Sequence, residues 1–423
     1  SLRPDPADYP NHFPVCSTLR FSHRQRQLDY ALSEDGWARG AQGDVRQNPT
    51  AVRFGTNALR GTPQAREPIM FAKFPFLSLL AIPAVAAFAS DASHPNPVVV
   101  GHRGACAYLP EHTLEGEAMA HAMGVDYVEQ DVVMTRDNEL VVMHDHLLET
   151  VTDVARKFPD RARKDGHYYA IDFTLAEIKT LLVHERTDPK TGKAVFPGRF
   201  PLETMIDFRV PTLREELEMV AGLNKSRSKD VGVYVEVKYP TFHLKEGKDA
   251  TKATINMLSE FGYNKPDGKA ILQIFDFDAV KDAREKYGWK GDLCMLVDTA
   301  EAQSPLGVYG AETYKDDRKE HEWLMTEEGI KEVSKYANIY APWFGYICIA
   351  DDKGGYKLTN HADLARKYGM KVHSWTHRAD SLWKPFKSSD EELDVAFKEL
   401  KLDGLFSDCP DVVIDYLKRN GMR

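Results

Sequence analysis

Residues 98–134, VVVGHRGACAYLPEHTLEGEAMAHAMGVDYVEQDVVM, decide the fold of this chain. VVVGH (98–102) is a short β-rich run, a helical pattern follows near 111–123, and VDYVEQDVVM (125–134) is β-rich again. The same alternation then recurs. Strands are predicted at 231–238 (VGVYVEVK), 269–275 (KAILQIF), 293–297 (LCMLV), 337–341 (ANIYA), 371–376 (KVHSWT) and 402–406 (LDGLF). A small extra strand at 140–143 pairs with the second. Helical patterns fall near 212–222, 249–261, 277–287, 326–336, 360–368, 389–400 and 410–419. Eight strands alternating with eight helices argue for a parallel sheet, and eight such units closing on themselves make an α/β protein of the (β/α)8 TIM-barrel type. A doubly wound open sheet is the alternative. Residues from about 145 to 211 break the alternation and are read as an inserted subdomain after the second strand, standing over one end of the barrel.

Composition narrows the function. The chain has 423 residues, with 55 Lys and Arg against 64 Asp and Glu, a net charge of −9. Such a balance disfavours sequence-independent nucleic-acid binding, which needs basic stripes. Five cysteines in 423 residues make no disulfide scaffold. Residues 1–69 carry nine Arg and no Lys or Met and too few apolar residues for a core, so they are expected to be a disordered or non-native upstream segment without chemistry. Residues 70–89 (MFAKFPFLSLLAIPAVAAFA) combine a lysine, a short apolar run and a small-x-small end, as a cleaved signal peptide does. Export to the periplasm is therefore expected, or secretion as the alternative, with no stable membrane anchor. The mature chain would start near Ser90.

In a barrel of this kind the active site lies at the C-terminal ends of the strands. Here odd polar groups collect at those ends: His102-Arg103-Gly104, Glu129-Gln130-Asp131, Met143-His144-Asp145, Glu236-Val237-Lys238, Gln273 with Phe275, and His373 with Trp375. Side chains at i and i+2 share a strand face, so Glu129 points with Asp131, and Glu236 with Lys238. Three carboxylates at one mouth repel unless a cation sits between them, and oxygen donors suit a hard divalent ion, Ca²⁺ or Mg²⁺. His102 and His144 are the natural acid–base pair. His112, His146 and His373 are read as supporting or structural. Arg103, on a glycine-flanked turn, has the planar fork that suits phosphate oxygens. Together these groups describe phosphate-ester chemistry better than sugar or acyl chemistry.

HRG (102–104), EQD (129–131), HDH (144–146), FPGRFP (196–201), VEVKYP (235–240), LQIFD (272–276), VHSWT (372–376) and GLFSDCPD (404–411) closely resemble the glycerophosphodiester phosphodiesterases, most of all the periplasmic bacterial subclass. The likeness runs from about Pro97 to the C-terminus. It implies a barrel domain over 97–423 with an insertion at 145–211. It implies hydrolysis of small-molecule glycerophosphodiesters such as glycerophosphocholine to sn-glycerol 3-phosphate and an alcohol. Glu129, Asp131 and Glu236 would hold one divalent cation, and His102 and His144 would be acid and base. Arg103 and Lys238 would bind the phosphate, Trp375 and Phe275 would wall the pocket, and Gln273 would line it. Glu111 is expected nearby with no fixed role. The attacking oxygen could be the substrate's own 2-hydroxyl or a water. Two other functions compete: a lysophospholipase D or sphingomyelinase D-like phosphodiesterase, marked by an exposed apolar mouth, and a non-catalytic surface binding protein, marked by loss of a carboxylate or a histidine. The cluster Arg156, Lys157, Arg161, Arg163 and Lys164 suits a charged headgroup. Oligomeric state is not readable.

Overall fold

The computed structural model describes residues 96–188, 190–298 and 321–423. The upstream segment and the signal segment lie outside the described residues. The strands are β1 (Val98–Gly101), β2 (Tyr127–Met134), β3 (Leu140–Val142), β4 (Gly232–Val237), β5 (Ala270–Ile274), β6 (Asp292–Val297), β7 (Ile339–Pro342), β8 (Cys348–Ala350), β9 (Tyr356–Leu358), β10 (Lys371–His377) and β11 (Gly404–Ser407). Eight of them run in the order β1-β11-β10-β7-β6-β5-β4-β2, and a β1–β2 pairing closes the ring. Every pairing in that ring is parallel. β3 is added antiparallel to the outer end of β2.

The helices form where capping residues precede apolar runs. Thr113 caps Leu114–Met123 by accepting from Gly116 N, and Gly124 ends that helix in the left-handed region. Thr212 and Glu215 form a reciprocal capping box on Leu213–Arg227. Alternation along the strands then sorts side chains into two layers. Outward residues such as Val99, Val128, Val235, Leu272 and Met295 pack with the helices. Inward residues from different strands, among them Val100, Tyr234, Ile271, Cys294, Ile339 and Phe406, meet one another and fill the barrel. The mouth above this plug is where β2, β4 and β5 turn polar.

Residues 145–211 pack on a core of their own, including Leu148, Val154, Phe173, Ile178, Leu181 and Phe208, shared with Val141 of β3 and Met143 just after it. In their charged cluster Arg161 pairs with Glu177, Arg163 with Asp172 and Arg156 with Asp153 inside the insertion, and Arg163 also reaches Glu246 beyond the helix Pro240–Lys245, so these three cations are engaged in ion pairs. The helix Pro240–Lys245 and the β8–β9 hairpin are not predicted from the sequence. Both are too short to show a period. Cys106, Cys294, Cys348 and Cys409 are free and buried.

Candidate active site

The site begins with the turn after β1. Arg103 (φ 54°) and Gly104 (φ 81°) both take left-handed backbone. A Cβ on Gly104 would lie 2.7 Å from the Gly116 carbonyl carbon, so only glycine lets the turn pack on the helix Leu114–Met123. The turn is fastened at both sides: His102 N donates to Ser407 O at the end of β11 (3.1 Å), and His112 N donates to Arg103 O (3.2 Å). This sets the Arg103 N–H on Glu129 Oε2, 2.6 Å away.

The register of the barrel lines up the acids. Asp131 of β2 stands opposite Glu236 of β4, and Glu236 opposite Gln273 of β5. Gln273 Nε2 donates to Glu129 Oε1 (3.1 Å). Lys238 Nζ lies 2.8 Å from Glu236 Oε1 and 4.0 Å from Asp131 Oδ1, while Arg103 Nε is 3.9 Å from Asp131 Oδ2. Phe275 lies beneath the Lys238 ammonium, 5.7 Å from ring centre to nitrogen, and packs edge-on against Trp375 at 5.6 Å. All the residues predicted for ion and phosphate thus form one connected group. Glu129, Asp131, Glu236, Arg103 and Lys238 are each buried.

Each candidate imidazole leans on a carboxylate. His102 Nδ1 lies 2.6 Å from Asp408 Oδ1, and His144 Nδ1 lies 2.7 Å from Asp145 Oδ1. A carboxylate only accepts, so Nδ1 carries the proton in both rings and Nε2 is left for other chemistry. Burial, then the charge of Arg103, lowers His102 to about 4; burial, then Arg103 and Lys238, lowers His144 to about 3. Both rings therefore lie within the field of Arg103. Asp145 is held in turn by Arg186 (2.5 Å), and Asp408 by Arg199 (2.6 Å) and Arg378 (2.9 Å).

Several of these partners went unassigned in the sequence. Asp145 and Asp408 lie inside the HDH and GLFSDCPD motifs, and their adjacency to His144 and the strand end was the available signal. Glu111 proves to be a hub: Arg186 binds both its oxygens (2.6 and 2.9 Å) and Arg103 NH1 lies 3.1 Å away. His112 is more central than a supporting role suggested, with Nε2 2.7 Å from Asp131 Oδ2. Arg186 and Arg199 sit in a glycine- and proline-rich stretch that gave no periodic signal. His146 is stacked on Phe242 (4.7 Å), and His373 bonds Tyr234 (3.1 Å) inside the barrel, both as structural groups.

The electrostatics suit a cation among the acids. Burial, then Asp131 and Glu236, pushes the Glu129 carboxyl well up; burial and Asp131 push Glu236 up to about 8 despite Lys238. Against its own burial, Lys238 and His112 hold Asp131 below the usual carboxylate range. Asp131 Oδ1 is buried with no hydrogen-bond partner among the described residues. The donor atoms of His112, Glu129 and Asp131 lie within 4.8 Å of one another, as do those of a second group, His102, Cys106 and Asp408. The first group, with Glu236 in register beside it, is oxygen-rich and fits a hard divalent ion. The second is clamped by arginines.

A barrel end built in this way defines a class, the TIM-barrel phosphodiesterases. Within it, the chain belongs to the glycerophosphoryl diester phosphodiesterase family, whose model matches residues 102–412, and it is an enzyme of that family. It is 38% identical over 362 residues to a glycerophosphodiester phosphodiesterase of Haemophilus influenzae, covering 81% of this chain and 97% of that protein. It is 33% identical over 336 residues to one of Treponema pallidum, covering 76% and 91%. Among solved structures, a Silicibacter pomeroyi protein superposes with a TM-score of 0.55 at 23% identity, covering 78% of this chain and 96% of that one. An Oleispira antarctica phosphodiesterase, solved in complex with the product sn-glycerol-3-phosphate, superposes with a TM-score of 0.50 at 19% identity, covering 76% and 97%.

Proposed function

We propose that the protein hydrolyses glycerophosphodiesters such as glycerophosphocholine to sn-glycerol 3-phosphate and an alcohol, using one divalent cation, Ca²⁺ or Mg²⁺. The observation that carries this reading is the convergence of acids from two strands: Asp131 stands opposite Glu236, with Glu129 two residues back on the same face of β2. Names borne by the Haemophilus and Treponema relatives support the substrate class, as does the product held by the Oleispira enzyme. Glu129, Asp131 and Glu236 would hold the ion. Once bound, it would act as a Lewis acid toward a phosphate oxygen. Arg103 and Lys238 would grip the remaining phosphate oxygens and stabilise the charge that develops on them. One imidazole Nε2 would take the proton from the attacking oxygen, and the other ring, entering the step as the imidazolium with a proton on Nε2, would give that proton to the leaving alkoxide. Asp408 and Asp145 each hold a ring by its Nδ1–H, so Nε2 is the atom that would take or give the proton. Trp375 and Phe275 would wall the glycerol side, and Gln273 would steady Glu129.

The test is release of glycerol 3-phosphate from glycerophosphocholine by purified protein, read by a coupled dehydrogenase. EDTA should abolish it and added Ca²⁺ or Mg²⁺ should restore it. His102→Ala and His144→Ala should each cut turnover by roughly 10² or more. Undiminished activity in chelator would remove the ion from the account, and a near-normal rate in either variant would reassign that histidine. Leu202, Met205 and Ile206 are exposed apolar residues of the insertion, which favours a lipid substrate as the second reading. Lysophosphatidylcholine belongs in the same assay, and faster choline release from it would favour a lysophospholipase D.

We also propose that the protein is exported to the periplasm, on the strength of the apolar segment at 70–89. N-terminal sequencing of the exported form should give an end near Ser90; an end far upstream would refute this.

A further inference from the structure

We infer that Arg186 and Arg199, the two buried arginines at the base of one loop of the insertion, are positioning residues, each fixing the carboxylate that orients one of the two imidazoles. The loop is a short ladder: Thr187 bridges Ala194, Val195 N donates to Arg186 O (2.9 Å), and Asp188 N donates to Lys193 O (2.9 Å). Arg186 leaves one side of its base and Arg199 follows the other. The side chains of both are 4% exposed.

From there they diverge. Arg186 gives NH1 to Asp145 Oδ2 (2.5 Å), and Nε and NH2 to the two oxygens of Glu111 (2.9 and 2.6 Å). The other oxygen of Asp145 faces His144. Arg199 gives NH2 to Asp408 Oδ2 (2.6 Å) and is braced by Asp380, which its Nε reaches at 2.9 Å. The other oxygen of Asp408 faces His102. Each carboxylate therefore takes a single N–H from its arginine on one oxygen, with Arg378 Nε adding a second to Asp408 (2.9 Å), and faces an imidazole with the other. Each guanidinium is itself held by its planar fork, Arg186 on Glu111 and Arg199 on Asp380, so it presents that N–H in a fixed direction. The carboxylate then fixes the tautomer and plane of the ring. In this way the insertion, which brings neither histidine, sets the aim of both.

This inference rests on His102 and His144 being the acid and base proposed above, so its test has an arm that needs no turnover. The full chain, labelled with ¹⁵N-histidine, is studied by long-range ¹H–¹⁵N spectra of the imidazoles, assigned with His102→Gln and His144→Gln. In Arg199→Gln the His102 ring should lose its single Nδ1–H tautomer while His144 keeps its own, and in Arg186→Gln the reverse should hold. The kinetic arm uses glycerophosphocholine with saturating Ca²⁺: each variant should lose about 10- to 100-fold in kcat, the usual cost of removing an orienting partner, with KM within about threefold. Should Arg199→Gln not fold, Arg199→Lys carries the same test, since it keeps the charge and loses the fork. Rings that ignore the loss of their own arginine, or that both respond to either loss, would overturn the inference; so would an unchanged kcat. If the wild-type protein releases nothing from glycerophosphodiesters yet the rings respond pairwise, the substrate reading falls and the clamps stand.

Discussion

Asp131 shows how much one side chain is asked to do at this mouth. His112 binds one oxygen, Lys238 lies 4.0 Å from the other, and the whole group is out of solvent. Orienting partners of a ligand commonly govern ion affinity by 10- to 100-fold. His112→Ala should therefore raise the Ca²⁺ concentration for half-maximal activity by about that factor, with less effect on the rate at saturating ion; an unchanged ion requirement would return His112 to a purely structural role. Another histidine, His243, tests the effect of burial, the largest influence on it. His243 accepts from Met134 N (3.0 Å) with Nε2 and bonds Tyr239 O (2.9 Å) with Nδ1, so it is neutral, and burial lowers it to about 4 from 6.5. A lowered histidine contributes stability that is whole above pH 6.5 and is lost as the pH falls toward 4. Between pH 7.5 and 5.0, urea melts should show the advantage of wild type over His243→Gln shrinking by about 2 kcal/mol. An advantage that grows on acidification would contradict this sign.

At the scale of elements, the sequence was legible wherever a period persisted. All eight barrel strands and all eight following helices stand where the alternation of β-rich runs and helical patterns puts them, with ends shifted by a few residues. The helix read as 389–400 is split, with a wider π-turn over Val395–Glu399, where Leu400 N reaches Val395 O (2.8 Å). The short pieces escaped notice because four to six residues cannot display a helical repeat. Caps carry measurable weight. Thr212 and Glu215 each satisfy a backbone N–H at the start of Leu213–Arg227, so Thr212→Ala should cost about 1 kcal/mol in chemical denaturation. A loss under a few tenths would mean that packing alone holds that end. At the β1 turn, Gly104→Ala meets both a positive φ and backbone at 2.7 Å, and should lower turnover and stability together, because the turn carries His102 and Arg103.

Across the whole molecule, the site was half legible. Residues that carry chemistry announced themselves by interrupting apolar strands: Glu129, Asp131 and Glu236 are acids where a barrel strand should be valine. Residues that hold those groups in place did not: Arg186 and Arg199 lie in loops, where charge is ordinary, and Glu111 was expected near the site without a role, which only the closed barrel and the insertion supply. Among the described residues two clusters could each take an ion, and they differ in kind: one rich in carboxylates, the other a histidine, a thiol and an aspartate already bound by arginines. Anomalous diffraction from a crystal soaked in Mn²⁺ discriminates between them directly. One peak should appear among the carboxylates of Glu129, Asp131 and Glu236; a peak at His102, Cys106 and Asp408, or none at the acids, would contradict the account.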